Sequence, residues 1–221
     1  MRIIVSYDGT PNDEDGLTLG RMLAGDSVSL ALAYVRHAPE YDPGREEIAQ
    51  HDAERRLEQG AVLLGDPELA RHVVINPSTG QGLAELAARE EATVIVFGSD
   101  YRTPPGRVEP GTSAQGLLEG GPVAIAVAPA GLRTGATTSI ASIAVSPAGD
   151  GAAARQTADA LAAMLPAEIL AAGAAGADLI VVGSSENAPD GRIALSGSTR
   201  FELDSARSSV LVVPRGKPVS F

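Results

Sequence analysis

Residues 93–113, which read TVIVFGSDYRTPPGRVEPGTS, give the clearest indication of the fold. The run begins as an apolar, β-branched strand, continues through a proline-rich loop and ends on Gly-Thr-Ser, which is typical of a helix start. This arrangement gathers backbone N–H groups and the positive end of a helix around an anion, and it needs no lysine. In an open parallel sheet, the carboxyl ends of the strands are where ligands bind, so a ligand site is predicted there.

Short apolar runs alternate with helical patterns throughout the first 130 residues, as expected for βαβ units. The predicted strands are 2–7, 28–35, 72–76, 93–98 and 123–128. The predicted helices are 12–24, 45–64, 79–92 and 112–118. We therefore expect an α/β fold with an open, parallel, five-stranded sheet in this part of the chain.

A shorter copy of this pattern follows in the second part of the chain. Residues 93–99 (TVIVFGS) align with 178–184 (DLIVVGS) at an offset of 85, whereas 3–6 (IIVS) align with 143–146 (IAVS) at an offset of 140. The two offsets differ by 55 residues, so the second copy lacks the second strand, the second helix and the third strand. We predict a full domain at 1–130, a linker at 131–139 and a truncated domain at 140–221.

The composition excludes several classes of function. A net charge of −11 repels nucleic acid and anionic membranes, so neither is an expected partner. The absence of cysteine excludes disulfides and thiolate sites, and the three scattered histidines do not favour a metal site. No signal peptide or membrane span is indicated by the sequence, and we expect a cytoplasmic protein.

The loop after the fourth predicted strand resembles that of the universal stress protein family. That family has the pattern Gly-x2-Gly-x9-Gly-(Ser/Thr), which Gly98, Gly111 and Thr112 match, while Tyr101 replaces the second glycine. The resemblance implies a sheet in the order 3-2-1-4-5, of the adenine nucleotide alpha hydrolase type, followed here by the truncated repeat.

The resemblance extends to two further residues and implies a ligand. Asp8 in VSYDGT matches the family's acid after the first strand, and Val35 in LALAYVRH matches its adenine-side position. The implied cofactor is ATP or a related adenine nucleotide, and Asp8 contacts either the ribose or a phosphate-bound Mg²⁺. The site residues that the loop and the resemblance together indicate are Asp8, Val35, Gly98, Gly111, Thr112 and Ser113.

Simpler roles remain open for the same residues. Asp8 precedes a glycine, as turn acids do, and Thr112 is a good helix-capping residue. In the second copy, Ser146 stands where Asp8 did, and Gly197 is taken as the counterpart of Gly111. That copy is therefore expected to be structural.

Two functions from different classes follow. The first is a nucleotide-binding regulator of the stress response without fast turnover, and not an enzyme; the alternative is a nucleotide-free scaffold and dimerisation module. Because three strands bury little on their own, we expect 123–128 to pair with 210–213 and form an intrachain pseudo-dimer. The exposed edge at 140–146 is expected to be covered by the tail, 216–221, or by a second chain in a homodimer.

Overall fold

The computed structural model describes residues 2–171 and 176–221 and joins both parts of the chain in one sheet. The strands are β1 (Arg2–Ser6), β2 (Ser29–Arg36), β3 (Ala70–Ile75), β4 (Ala92–Phe97), β5 (Ala124–Val127), β6 (Ser142–Val145), β7 (Glu168–Ile169), β8 (Leu179–Gly183) and β9 (Ser209–Val213). Their order across the sheet is β3-β2-β1-β4-β5-β9-β8-β6-β7.

Helices cover both faces of this sheet. Those of the described residues are α1 (Pro11–Ala24), α2 (Pro43–Leu63), α3 (Thr79–Arg89), α4 (Thr112–Leu118), α5 (Gly151–Met164) and α6 (Gly197–Ser205). The buried side chains of α1, α2 and α5 join one hydrophobic cluster, and those of α3, α4 and α6 join the other. No helix in the described ranges is both long enough and apolar enough to cross a membrane.

The first five strands confirm the expected α/β fold. They are parallel, they follow the order β3-β2-β1-β4-β5, and the predicted bounds differ from the observed ones by at most two residues. The central strands are apolar on both sides because helices pack on both faces of the sheet. In β1, for example, Ile3 belongs to one hydrophobic cluster and Ile4 to the other.

An antiparallel pairing of β5 with β9 connects the two parts of the chain. Ile125 lies opposite Val212, and Val127 lies opposite Val210. These are the two strands that the sequence analysis expected to pair. All four side chains are buried and belong to one hydrophobic cluster, so this seam lies inside the core.

The second part of the chain contains one strand more than expected. β6, β8 and β9 run parallel to one another, as in a first, a fourth and a fifth strand. β7, which has only two residues, pairs in parallel with Ser142 and Ile143 of β6. β7 therefore occupies the place of a second strand, which the sequence predicted to be absent from this copy.

The expectation that the C-terminal tail covers the β6 edge is wrong. The backbone N–H of Val219 donates to Thr157 Oγ1 of α5 at 2.9 Å. Val219 is buried in the hydrophobic cluster under α5, and Phe221 packs against the same cluster. The apolar tail is therefore drawn onto a helix layer, and β7 covers part of the edge instead.

Two aspartates at the starts of helices make the repeat visible in the structure. In the first copy, Asp15 is fully buried and accepts from the N–H of Gly131 at 2.7 Å. In the second copy, Asp150 accepts from the N–H of Gly216 at 2.8 Å. Each carboxylate thus fixes the chain just after the last strand of its copy. It follows that the predicted linker begins with residues that are tied to α1.

Glycine is required where the first helix of each copy meets the fourth-strand position. An ideal Cβ on Gly98 would lie 1.9 Å from the backbone O of Asn12, and one on Gly183 would lie 2.2 Å from that of Asp150. Contacts this short with backbone cannot be relieved by turning a side chain. Both glycines therefore allow close helix-to-strand packing.

We expect Gly98→Ala to destabilise the protein by about 1–3 kcal/mol, because the added methyl group forces the backbone of α1 away from the end of β4. Urea unfolding measures the effect. The matched control is Gly116→Ala in α4, where a Cβ meets no atom within 4 Å and helix propensity favours alanine. Equal stability of the two variants would contradict this account of Gly98.

Candidate functional site

A pocket of about 360 Å³ lies at the carboxyl ends of β1, β2 and β4, beside the start of α4. This is the place where the strand order reverses, and open α/β sheets bind ligands there. The volume lies within the range of about 300–1,000 Å³ that is typical of small-molecule sites. All six predicted residues line this pocket: Asp8, Val35, Gly98, Gly111, Thr112 and Ser113.

The fold brings these residues together from distant parts of the sequence. Asp8 follows β1 and is exposed to solvent, whereas Val35 lies in β2 and is only 7% exposed. Gly98 follows β4, and Gly111 is the N-cap of α4. Parallel strands end at one edge of the sheet, so residues that follow different strands share one pocket.

The start of α4 differs from every other described α-helix start. Each of the others has a side chain that accepts from a first-turn N–H, whereas Gly111 provides none. Within the described residues, no protein group accepts from the N–H of Thr112 or Ser113. Both residues line the pocket, so these donors are available to bind an anion there.

Gly98 lines the pocket, but packing explains why it is a glycine. Gly183, its counterpart at the offset of 85, makes the same close approach to a helix in the second copy. The sequence pattern alone does not distinguish this role from contact with a phosphate. Gly111 has room for a side chain, since an ideal Cβ there would meet only Asp100 Oδ2, at 3.9 Å.

Tyr101 stands at the rim of the pocket. Its side chain is 66% exposed, and the guanidinium carbon of Arg102 lies 4.9 Å from the centroid of its ring. Asp100 Oδ1 accepts from the N–H of Arg102 at 3.0 Å, which holds this turn of the loop. The tyrosine ring is thus stacked with a cation at the surface.

Asp13, in the first turn of α1, also lines the pocket, although it is not among the predicted site residues. Its Oδ2 accepts from Thr10 Oγ1 at 2.7 Å and from the N–H of Thr10 at 3.0 Å. Burial, together with hydrogen bonding and repulsion from Asp8, raises its pKa from the ordinary value of 3.8 to about 7. The Thr10-x-x-Asp13 spacing of a capping box was the available sequence signal.

Four more side chains that line or adjoin the pocket were not predicted. Arg56 donates to the backbone O of Asp8 at 3.0 Å, and its guanidinium lies 5.0 Å from the centroid of the Tyr34 ring. His37 Nε2 and Thr79 Oγ1 are 3.0 Å apart, which links the end of β2 to the start of α3. These contacts join elements that are far apart in the chain, so no short sequence motif predicts them.

The corresponding region of the second copy is closed by its own side chains. Ser196 is the N-cap of α6, and its Oγ accepts from the N–H of Thr199 at 3.2 Å. Ser196, and not Gly197, therefore occupies the place of Gly111, which corrects the sequence alignment. In addition, the hydroxyl of Ser146 donates to the carboxylate of Glu202.

The described residues contain no group of three or more His, Asp or Glu side chains that could hold a metal ion. Asp8 and Asp13 supply two neighbouring carboxyl groups in the pocket. Mg²⁺ is often bound by one or two carboxylates together with the phosphates of a ligand. The pocket therefore offers a partial set of Mg²⁺ ligands that a phosphate would complete.

These features define an open α/β protein with a pocket at its topological switch point. No family model and no curated protein matches the chain by sequence. Its structure is similar to that of a universal stress protein from Archaeoglobus fulgidus DSM 4304, with 14% identity, a TM-score of 0.58 and coverage of 97% of this chain and 98% of the other.

A protein from Pseudomonas aeruginosa UCBPP-PA14, described as a universal stress protein, is similar at 13% identity and a TM-score of 0.59. The similarity covers 96% of this chain and 92% of the other. Since both likenesses extend over nearly the whole chain, they include its shorter second part. The chain has the fold of the universal stress proteins, which confirms the fold that the loop pattern implied.

The raised pKa of Asp13 predicts how stability changes with pH. Because the folded state holds the Asp13 proton to about pH 7, the protein should lose stability as the pH rises from about 4 to about 7. Other groups titrate as well, so the informative quantity is the difference in unfolding free energy between the protein and Asp13→Asn. We expect this difference to move in favour of the variant by about 1–3 kcal/mol across that window, after allowing for partial exposure. A difference that is independent of pH would contradict the assignment.

Proposed function

We propose that this chain is an adenine-nucleotide-binding regulatory protein of the universal stress protein family, acting in a cytoplasmic stress response. The observation that carries the proposal is the start of α4, where Thr112 and Ser113 line the pocket and their N–H groups have no acceptor among the described residues. Anions bind at such positions because several oriented N–H dipoles point at one place. The phosphates of the nucleotide are proposed to lie there.

The remaining walls of the pocket suit the other parts of a nucleotide. Val35 and Phe97, each 7% exposed, give an apolar surface for the adenine. Asp8, which follows β1 and is exposed, lies where a carboxylate can accept from a ribose hydroxyl or hold a phosphate-bound Mg²⁺. Most binding pockets combine apolar walls with a few placed polar groups in this way.

Mg²⁺ is proposed to reach the site together with the phosphates. No Lys or Arg is among the described residues that line the pocket, while Asp8 and Asp13 are. A cation between the carboxylates and the phosphates would offset the repulsion between these negative groups. Because Asp13 has a pKa of about 7, binding of the cation should release a proton near neutral pH.

The proposal is for binding without fast turnover. Rapid phosphoryl transfer depends on positioned cations that stabilise charge on the transferred group, most often Lys or Arg side chains in addition to Mg²⁺. The described lining of this pocket offers backbone N–H groups and neutral hydroxyl groups instead of Lys or Arg. Such a site holds a nucleotide and has little with which to lower the barrier to its hydrolysis.

A bulky side chain at Gly111 should block nucleotide binding. We expect Gly111→Val to weaken ATP binding by at least about tenfold in calorimetric titration with Mg²⁺, because the side chain stands beside the donors of α4. The control is Gly197→Val at the start of α6, where a Cβ has no neighbour within 4 Å. Equal loss in both variants would contradict a single site. No binding by the unmodified protein would favour the nucleotide-free scaffold.

A scaffold and dimer role has its own supporting observation. α2 and β3, at one end of the sheet, carry exposed aliphatic side chains: Ile48, Val62, Leu63 and Ile75 are 48–64% exposed. Exposed apolar patches and open strand edges favour association. We propose that the protein forms a homodimer through this end of the sheet.

Light scattering at several concentrations tests the dimer. We expect a dimer whose dissociation is promoted by Ile75→Lys, because a charge at the edge strand opposes pairing between two chains. The matched control is Tyr41→Lys in the exposed segment before α2, which should leave association unchanged. A strict monomer at all concentrations would overturn the proposal.

A further inference from the structure

A second, larger cavity adjoins the pocket. It has a volume of about 650 Å³ and lies between α3 and α4. Four residues, His37, Thr79, Thr112 and Ser113, line both the pocket and the second cavity. The second cavity therefore begins at the first turn of α4, where the phosphates of the proposed nucleotide lie.

The charge of its lining suits an anionic ligand. Of the described residues that line it, none is Asp or Glu, although the chain has 28 acidic residues. Its ionisable side chains are His37 and Arg192. A polyanion in this cavity thus meets no carboxylate from these lining residues, although the molecule has a net charge of −11.

Arg192 comes from the second part of the chain and lies in the loop between β8 and α6. Its Nη1 donates to the backbone O of Gly120 at 3.2 Å, which holds the exposed guanidinium beside the C-terminal end of α4. Planar guanidinium groups stack on nucleobases and also donate to their acceptor atoms. Arg192 therefore supplies the second cavity with a group that is able to stack on a base.

Small residues leave the walls of the second cavity flat. Gly80 and Ala84 line it from α3, and Gly116 and Leu117 line it from α4. An ideal Cβ on Gly116 would meet no atom within 4 Å, so the space beside this helix is open. A planar, partly apolar group such as a nucleoside can lie against walls of this kind.

We propose that the physiological ligand is a dinucleoside polyphosphate that spans both cavities. One adenosine lies in the pocket, the phosphate chain passes the start of α4, and the second nucleoside lies in the second cavity beside Arg192. This inference rests on the proposed function, since the first adenosine and its phosphates use the same residues. It adds the length of the ligand and a contact from the second part of the chain.

Calorimetric titration with two matched ligands tests the inference. Diadenosine tetraphosphate and adenosine 5′-tetraphosphate have the same number of phosphates and differ by one adenosine. We expect the dinucleotide to bind about tenfold more tightly, because stacking on arginine adds to its affinity. Arg192→Gln should remove this advantage and leave the affinity for ATP within about twofold.

Two further variants sharpen the result. Gly116→Leu directs a side chain into the second cavity and should also abolish the advantage of the dinucleotide. Arg200→Gln is the control, because Arg200 belongs to the same part of the chain and pairs with Glu119 outside the second cavity. Thermal unfolding shows whether each variant is folded, and if Gly116→Leu is not, Arg192→Gln decides.

The outcomes separate this inference from the proposed function. If ATP binds but the dinucleotide has no advantage, or if that advantage survives Arg192→Gln, the inference is overturned and the proposed function stands. If ADP-glucose binds more tightly than the dinucleotide, the second cavity takes a sugar and the inference is also overturned. If no adenine nucleotide binds, both fail.

Discussion

The antiparallel contact between β5 and β9 joins the two parts of the chain into one sheet. It converts a strand that would be the edge of a five-stranded sheet into an interior strand, and it gives the short second part of the chain a core to share. Side chains of the second part also contact the segment between α4 and β5: Lys217 donates to the backbone O of Pro122 at 3.3 Å. The position of α4, and with it the pocket, is therefore held from both sides of the seam.

Much of the sheet could be predicted because its signals are local. Runs such as VAIAVAP at 123–129 are apolar at every position, as strands covered on both faces must be, and the 85-residue offset located their counterparts. β7 could not be predicted, since Glu168 and Ile169 form no strand pattern and pair only because β6 leaves room. The prediction for the C-terminal tail was wrong for a similar reason, because the contacts of the tail depend on which surface of the folded chain lies beside it.

In the candidate site too, features with a local sequence signal could be predicted, and features that depend on long-range contacts could not. The loop pattern located the residues around the pocket, but it did not assign roles to the acidic residues of α1. Asp13 lies beside Asp8 in the pocket, whereas Asp15 is buried and holds the segment after β5. Gly98 was correctly predicted to lie at the pocket. Its sequence context does not reveal that close packing against α1 requires a glycine there. Such distinctions depend on contacts between residues that are far apart in the chain.

Because its two parts differ, the molecule is not bound by the symmetry of a homodimer. When two identical chains meet across such a seam, each substitution occurs twice and must suit both positions. Here Arg192 corresponds to Arg107 at the offset of 85, yet the two are separate codons and can change independently. Because both halves belong to one polypeptide, their effective concentration is fixed by the chain, and the seam does not dissociate on dilution. One half can therefore keep an open binding site while the other changes into its support.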